Sequence, residues 1–392
     1  MGMKMGYGEV SPASKARKVA RYVRLYGPRR TLAKVRGQLH MDAKGSPRLR
    51  APGRRDAHVG IVGCGMFAYS TIAYYLHRRA GAVMRGAMDK EHARAASLAR
   101  SYRLHYATED SSQVIEDPEI DLVYIASSHP THAEYAIEAL RAGKSVHIEK
   151  PHVVSEDQLI RLCQAATSSP GSVRLGFNRP VSRLGKEVQR LLESQSGQTM
   201  FSWFVAGHET APDHWYERPA EGGRVLGNLC HWTDFVFQMM PPEDRFPIEI
   251  RPARSEQPDS DIAVSYVFGD GSIAAISFSA KAHTFEGIRE HLSLHRGDLL
   301  LSLTDFQELR AEVREHRRRI RLRFRDHGHA NSILRSYEMS ARSGAGAPGS
   351  SVGYLWETGQ LFLKTQEALE SDAILRVGEF SPERLRPVNA AA

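Results

Sequence analysis

From residue 57 onward, short apolar runs alternate with longer stretches in which apolar residues recur every three or four positions. His58 to Val62 reads as a buried strand and Met66 to Arg79 as a helix. Ala82 to Met88 and the stretch ending near Tyr102 repeat the pair. Asp121 to Ala126, Thr131 to Ala142, Ser145 to Ile148, Glu156 to Thr167 and Val173 to Phe177 continue the series. Strands separated by helices of this length predict an α/β, doubly wound parallel sheet. After about residue 245 the period falls to two. Asp261 to Val267, Ser272 to Ser279, His291 to His295, Asp298 to Leu303, Glu308 to Val313 and Arg319 to Phe324 are strand-like. Gly269-Asp270-Gly271 and Arg296-Gly297-Asp298 supply hairpin turns between them. An α+β unit with a large, mainly antiparallel, open-faced sheet is expected. Ser343 to Ser351 is a small-residue loop before a last helix, Tyr354 to Leu369.

Upstream of residue 57 the texture differs. Val19, Tyr22, Val23 and Tyr26 fall at helical spacing, as do Leu32, Val35 and Leu39, with Gly27-Pro28 as the break. Residues 1–57 hold 15 Lys+Arg against 3 Asp+Glu, so the chain's formal charge of +8 hides a body of −4. The basic character belongs to this arm, which argues against a nucleic-acid-binding body. Such an arm packs on its own protein or a sister subunit, or meets an acidic partner or a membrane surface. A cleaved presequence is the weaker alternative, because the arm holds few serines. Cys64, Cys163 and Cys230 are scattered and form no CxxC pair, which predicts reduced thiols and a cytoplasmic setting. No apolar run is long enough to cross a bilayer.

Gly63-x-Gly65-x-x-Ala68 stands between the first strand and the first helix of the alternating region. Gly63 permits the turn, Gly65 lets a pyrophosphate approach the backbone, and Ala68 lets helix and strand pack. The helix start, with Met66 and Phe67, faces the negative charge. Asp89 ends the second strand, 21 residues past Ala68, where a carboxylate accepts the ribose hydroxyls. These features make the sheet Rossmann-like and predict NAD, with NADP open through Lys90. Gly143-Lys144-Ser145 lacks the upstream glycine of a phosphate loop. The division is then 1–56 arm, 57–179 nucleotide domain, 180–380 substrate and oligomerisation domain, and 381–392 tail.

Two further segments carry chemistry. Glu149-Lys150-Pro151 puts a lysine at the ligand edge of the parallel sheet, and a glycine-led run from Gly222-Gly223 carries His231 and Asp234. Together with Ser127-Ser128-His129-Pro130-Thr131-His132 and Gly176-Phe177-Asn178-Arg179-Pro180, the chain resembles the glucose–fructose oxidoreductase, inositol dehydrogenase and MocA-like family over about residues 57 to 370. Asp213-His214-Trp215 resembles one subgroup. The resemblance implies that Lys150 and His231 flank the substrate carbinol, and that Ser127, His129, His132 and Glu149 line the cofactor. His231 is the natural base and Lys150 polarises the oxygen. Asn178, Arg179, His214, Trp215 and Asn228 are expected at the substrate, with His214 and Trp215 suited to a sugar. Many relatives carry an aspartate four residues before the histidine, where this chain has Gly227; Asn228 or Asp234 is expected to orient the imidazole or hold a substrate hydroxyl instead. His208, Asp213, His214 and His231 match no compact metal-ligand spacing.

The expected function is an NAD(P)-dependent oxidoreductase for a secondary alcohol of a sugar, nucleotide sugar, cyclitol or related polyol. The alternatives are an NAD-retaining enzyme of redox-assisted isomerisation, elimination or glycoside cleavage, and a non-catalytic NAD(P)-binding sensor or scaffold. A homo-oligomer formed through the open sheet is expected.

Overall fold

The computed structural model describes residues 12–44, 49–207, 209, 215–253, 261–282 and 287–385. The arm forms two helices, α1 (Pro12–Tyr26) and α2 (Pro28–Met41), parted at Gly27, whose φ of +83° suits glycine. They pack on the body of their own chain, but through only part of the stripe that the spacing singled out: Tyr26 meets the His327 ring. Val19, Val23, Leu32, Val35 and Leu39 are exposed, while Leu25, Thr31, Ala33, Gly37 and His40 are buried. Small residues decide this face: a Cβ on Gly37 would stand 2.9 Å from the Cβ of Ser70. A bulkier stripe could not come so close.

The first sheet contains β1 (Val59–Val62), β2 (Met84–Met88), β3 (Tyr106–Thr108), β4 (Leu122–Ile125), β5 (Ser145–Ile148) and β6 (Val173–Leu175). All are parallel, in the order β3-β2-β1-β4-β5-β6. β1 and β4 are buried at every position, which is why they read as continuous apolar runs. A π-helical turn (Ala68–Ile72) leads into α3 (Ala73–Arg79), and α4 (His92–Tyr102), α5 (Ser112–Ile115), α6 (His129–Arg141) and α7 (Glu156–Ser168) complete the crossovers. β3 and α5 are too short to show a period in sequence.

The second sheet has nine strands. After α8 (Arg183–Glu193) come β7 (Thr199–Ala206), then α9 (Cys230–Met239), β8 (Ile248–Ala253), β9 (Asp261–Val267), β10 (Ile273–Ser279), β11 (Arg289–Arg296), β12 (Leu299–Thr304), β13 (Glu308–Val313) and β14 (His316–Arg321). α10 (His329–Tyr337), α11 (Val352–Ser371) and β15 (Leu375–Val377) follow. The order is β14-β13-β12-β11-β7-β10-β9-β8-β15, antiparallel except for the parallel pair β7 and β10. β7 buries Phe201, Trp203 and Val205 yet also turns Met200 and Phe204 outward, which blurs its alternation. β14 begins three residues earlier than expected. Its side chains are mostly exposed, so no apolar face sets its position, and pairing of Val313 with His316 does.

α10 returns to the first sheet. Tyr124 Oη donates to the carbonyl of Ile333 at 2.7 Å, and His147 Nδ1 lies 2.7 Å from Ser336 Oγ. The three cysteines are buried and unpaired. Among the described residues no helix is long and apolar enough to cross a membrane.

Candidate active site

The sheet order reverses between β1 and β4, so the carboxyl ends of β1, β4 and β5 lie side by side and carry Gly63, Ser127 and Lys150. Gly63 has φ of +86°, and a Cβ there would lie 2.5 Å from the amide nitrogen of Ser127. At Gly65 nothing lies within 4 Å of that position, leaving bare backbone at the helix start. Asp89 Oδ2 accepts from the Cys64 amide at 2.7 Å, and Oδ1 from the Glu91 amide at 2.9 Å. Each carboxylate oxygen keeps a lone pair. Ala68 is buried, Met66 and Phe67 stand half-buried at the lip, and Lys90 is exposed. Open backbone, a helix start and a buried carboxylate fit a dinucleotide.

Ser127, His129, His132 and Glu149 are tied into the protein. Thr131 Oγ1 donates to Ser127 Oγ at 2.7 Å. His132 Nδ1 is 2.7 Å from the Pro151 carbonyl and Nε2 3.1 Å from that of Ser127. His129 Nδ1 is 2.7 Å from the Glu221 carbonyl, and its amide donates to Glu221 Oε2 at 2.9 Å. Burial, with Lys150 nearby, pushes the His129 pKa down to about 3, so its ring is neutral. His147 Nε2 donates to Glu149 Oε1 at 3.1 Å. These bonds hold the strand ends that present Lys150.

Lys150 Nζ donates to the carbonyl of Gly227 at 2.7 Å, in the π-helical turn Val225–Leu229 that runs into α9. His231 follows one turn later and lies within charge range of Lys150 and Arg179. Its Nδ1 is enclosed without a hydrogen-bond partner among the described residues. Burial, then Arg179 and Lys150, hold the imidazole well below its usual pKa; burial likewise lowers that of Lys150. Phe177 meets the His231 ring edge-on at 6.3 Å.

Behind them lies a buried ionic group. Arg179 donates to both oxygens of Glu290 at 2.7 and 3.3 Å and covers the Trp232 ring at 4.5 Å. Trp232 Nε1 donates to Glu290 Oε2 at 2.7 Å, and His327 Nε2 is 3.2 Å from Oε1. Against the burial that raises it, Arg179 and His327 bring the Glu290 pKa down to about 2. Asn178 Nδ2 donates to the His327 carbonyl at 2.6 Å.

Asp234 does not serve His231. Its Oδ1 accepts from Tyr354 at 2.5 Å and Thr358 at 3.3 Å, and its Oδ2 from Gln238 at 2.7 Å. One turn beyond His231, it lies on the side of α9 that packs against α11, so it anchors that helix. Asn228 Oδ1 accepts from Arg224 at 2.9 Å. Trp215 is 40% exposed, with its ring 5.4 Å from His129. His208, Asp213 and His214 lie outside the described residues.

Residues 57–177 match a family of oxidoreductases with an NAD-binding Rossmann fold. Over these residues the chain is similar to the Gfo/Idh/MocA family. It is 30% identical over 138 residues to inositol 2-dehydrogenase 2 of Saccharopolyspora erythraea, a match spanning 35% of this chain and 41% of that protein. Levoglucosan dehydrogenase in complex with NADH shares the fold at a TM-score of 0.70 and 16% identity, over 82% of this chain and 99% of that one. GenD2 from gentamicin A biosynthesis, in complex with NAD, does so at 0.67 and 17%, over 86% and 99%.

The glycine at position 227 has a structural explanation. A Cβ on Gly227 would stand 2.0 Å from the Tyr216 phenol oxygen, so the tyrosine fills the space an aspartate there would need. Tyr216, Glu290, His327 and His329 were not singled out from sequence. A usable signal existed only for the last two, which bracket Gly328 in a loop where two histidines serve no apolar pattern.

Proposed function

We propose that this protein is an NAD(P)-dependent oxidoreductase, with NAD favoured by Asp89, acting on a secondary alcohol or ketone of a sugar, nucleotide sugar, cyclitol or related polyol. The observation that carries the reading is the meeting of Lys150 Nζ with the turn leading to His231, whose Nδ1 has no partner among the described residues. A nicotinamide bound at the glycine loop supplies the hydride acceptor. Lys150 holds the carbinol oxygen, and its ammonium stabilises negative charge developing there. His231, kept neutral by burial and then by its cationic neighbours, takes the hydroxyl proton. Arg179 and Asn178, locked by Glu290 and His327, shape the wall behind the substrate. Tyr216 fills the space over Gly227 that an aspartate there would need.

One observation favours a second reading. His40 Nε2, on the arm, donates to the carbonyl of Cys64 within the glycine loop at 2.7 Å. A loop clasped in this way suits an enzyme that retains NAD through a redox-assisted isomerisation, elimination or glycoside cleavage. Homo-oligomerisation through the open sheet is supported by exposed Met200, Phe204, Ile273 and Leu300. The outward stripe of the arm, among its basic residues, is the surface offered to an acidic partner or membrane.

The deciding experiment is a screen of NAD+ and NADP+ reduction by the purified full chain across sugars, inositols and nucleotide sugars. Reduction of NAD+ by at least one is expected; turnover of the same compounds with copurified, recycled NAD selects the second reading. Absence of both bound cofactor and cofactor-linked turnover removes the proposal.

A further inference from the structure

The arm does more than cover surface. Its far end grips the cofactor loop: besides the His40 bond to Cys64, Gln38 Nε2 lies 3.1 Å from Met66 Sδ, and Arg30 donates to Ser70 O and Thr71 Oγ1. Its middle grips the opposite lip. The Arg325 amide donates to the Leu25 carbonyl at 2.8 Å, Gly27 lies against the Phe324 ring, and the Tyr26 ring is 6.2 Å from that of His327. The two lips meet beneath it, Phe67 and His329 having ring centroids 5.5 Å apart. The helical pair therefore spans the mouth whose inner groups are His231, Arg179 and Lys150.

Lys34 is the arm residue with chemistry to offer there. It is half-buried, its ammonium sits 5.9 Å from the Tyr22 ring centroid, and it pairs with no carboxylate among the described residues. Its charge and that of Arg30 are felt by His329, which is in turn within charge range of His231. Burial above all, then Arg30 and Lys18, lower its pKa to about 8. The acids that act on neighbouring Tyr26 are already committed: Glu290 to Arg179, Trp232 and His327, and Asp305 to Arg289 and Arg325. An uncompensated half-buried ammonium is costly unless a ligand brings the missing anion.

We propose that the arm is the third wall of the substrate cleft, and that Lys34 binds an anionic group, carboxylate or phosphate, on the sugar-like substrate. The inference rests on the oxidoreductase reading above and narrows its substrate class.

The test compares D-glucose, D-glucuronate and D-glucose 6-phosphate with the NAD-loaded full chain, reading kcat/KM and ligand-induced thermal stabilisation. One anionic sugar should exceed glucose by about 10- to 100-fold, as a charge-assisted hydrogen bond allows, and which one does so separates carboxylate from phosphate. Lys34→Met should collapse that ratio and Lys34→Arg should retain most of it. Arg36→Met, on the exposed side of α2, should leave the ratio as in the wild type. An equal response to all three sugars, or a ratio that survives Lys34→Met in protein still binding NADH, overturns the inference. So does equal loss in Arg36→Met, which would mean steering by net charge. Turnover without anion preference spares the oxidoreductase reading, whereas anion-dependent stabilisation without hydride transfer to any substrate spares Lys34 and sinks that reading.

Discussion

Between Gly63 and Ala68 the glycine loop of the cleft comes from one short run of chain, whereas the proposed substrate side gathers Arg179, His231, Glu290 and His327 from four distant segments. The first is shaped by backbone: a positive φ at Gly63 and bare space at Gly65. The second is shaped by a buried ion pair and the groups stacked on it. A lesion in the run should disturb ligand binding locally. A lesion in the ionic wall should cost folding as well as function, because a desolvated charge loses its partner.

The sharpest challenge to this contrast falls where the two sides meet. Lys150→Ala should lower kcat by about 10²- to 10⁴-fold while NADH titration shows retained affinity; unaltered kcat discards the assigned role. Next in size, Glu290→Ala should cost about 3–5 kcal/mol in urea unfolding, since Arg179 is left buried without its carboxylate. A loss confined to turnover, with stability held, would show that the wall is not a structural unit.

A smaller effect is expected beneath the wall. Burial raises the Asp234 pKa to about 7 from an ordinary 3.8, despite bonds from Tyr354, Gln238 and Thr358. The folded state thus holds a proton that the unfolded chain releases first. Its contribution to stability is complete below about pH 4 and is lost as pH rises towards about 7, by up to about 1.4 kcal/mol per pH unit. Asp234→Asn should flatten this stretch of the melting-temperature profile; an unchanged slope assigns it to other groups. Smallest of all, His40→Ala should weaken NADH binding by about 3- to 10-fold, the worth of one hydrogen bond to the loop. The position of the arm ahead of the nucleotide domain predicts that its deletion spares cofactor affinity. Contact with Cys64 reverses that expectation, and unchanged NADH affinity in His40→Ala would restore it.

Much of this was legible along the chain because the relevant forces act over a few residues. Buried parallel strands favour continuous apolar runs, so β1 and β4 could be read directly, and hairpin turns located β9 to β13. A glycine turn between strand and helix marked the nucleotide loop for the same reason. Other features depend on partners that sequence spacing does not reveal. Tyr216 fills the space over Gly227, Asp234 faces α11 instead of the imidazole, and β14 takes its position from β13. The arm's buried face was hidden as well, because close packing chose Ala33 and Gly37 over the larger apolar side chains beside them. Periodicity and turn chemistry are local and survive in one dimension; which charges are desolvated together, and which wall Lys34 faces, exist only once remote segments have been brought into contact.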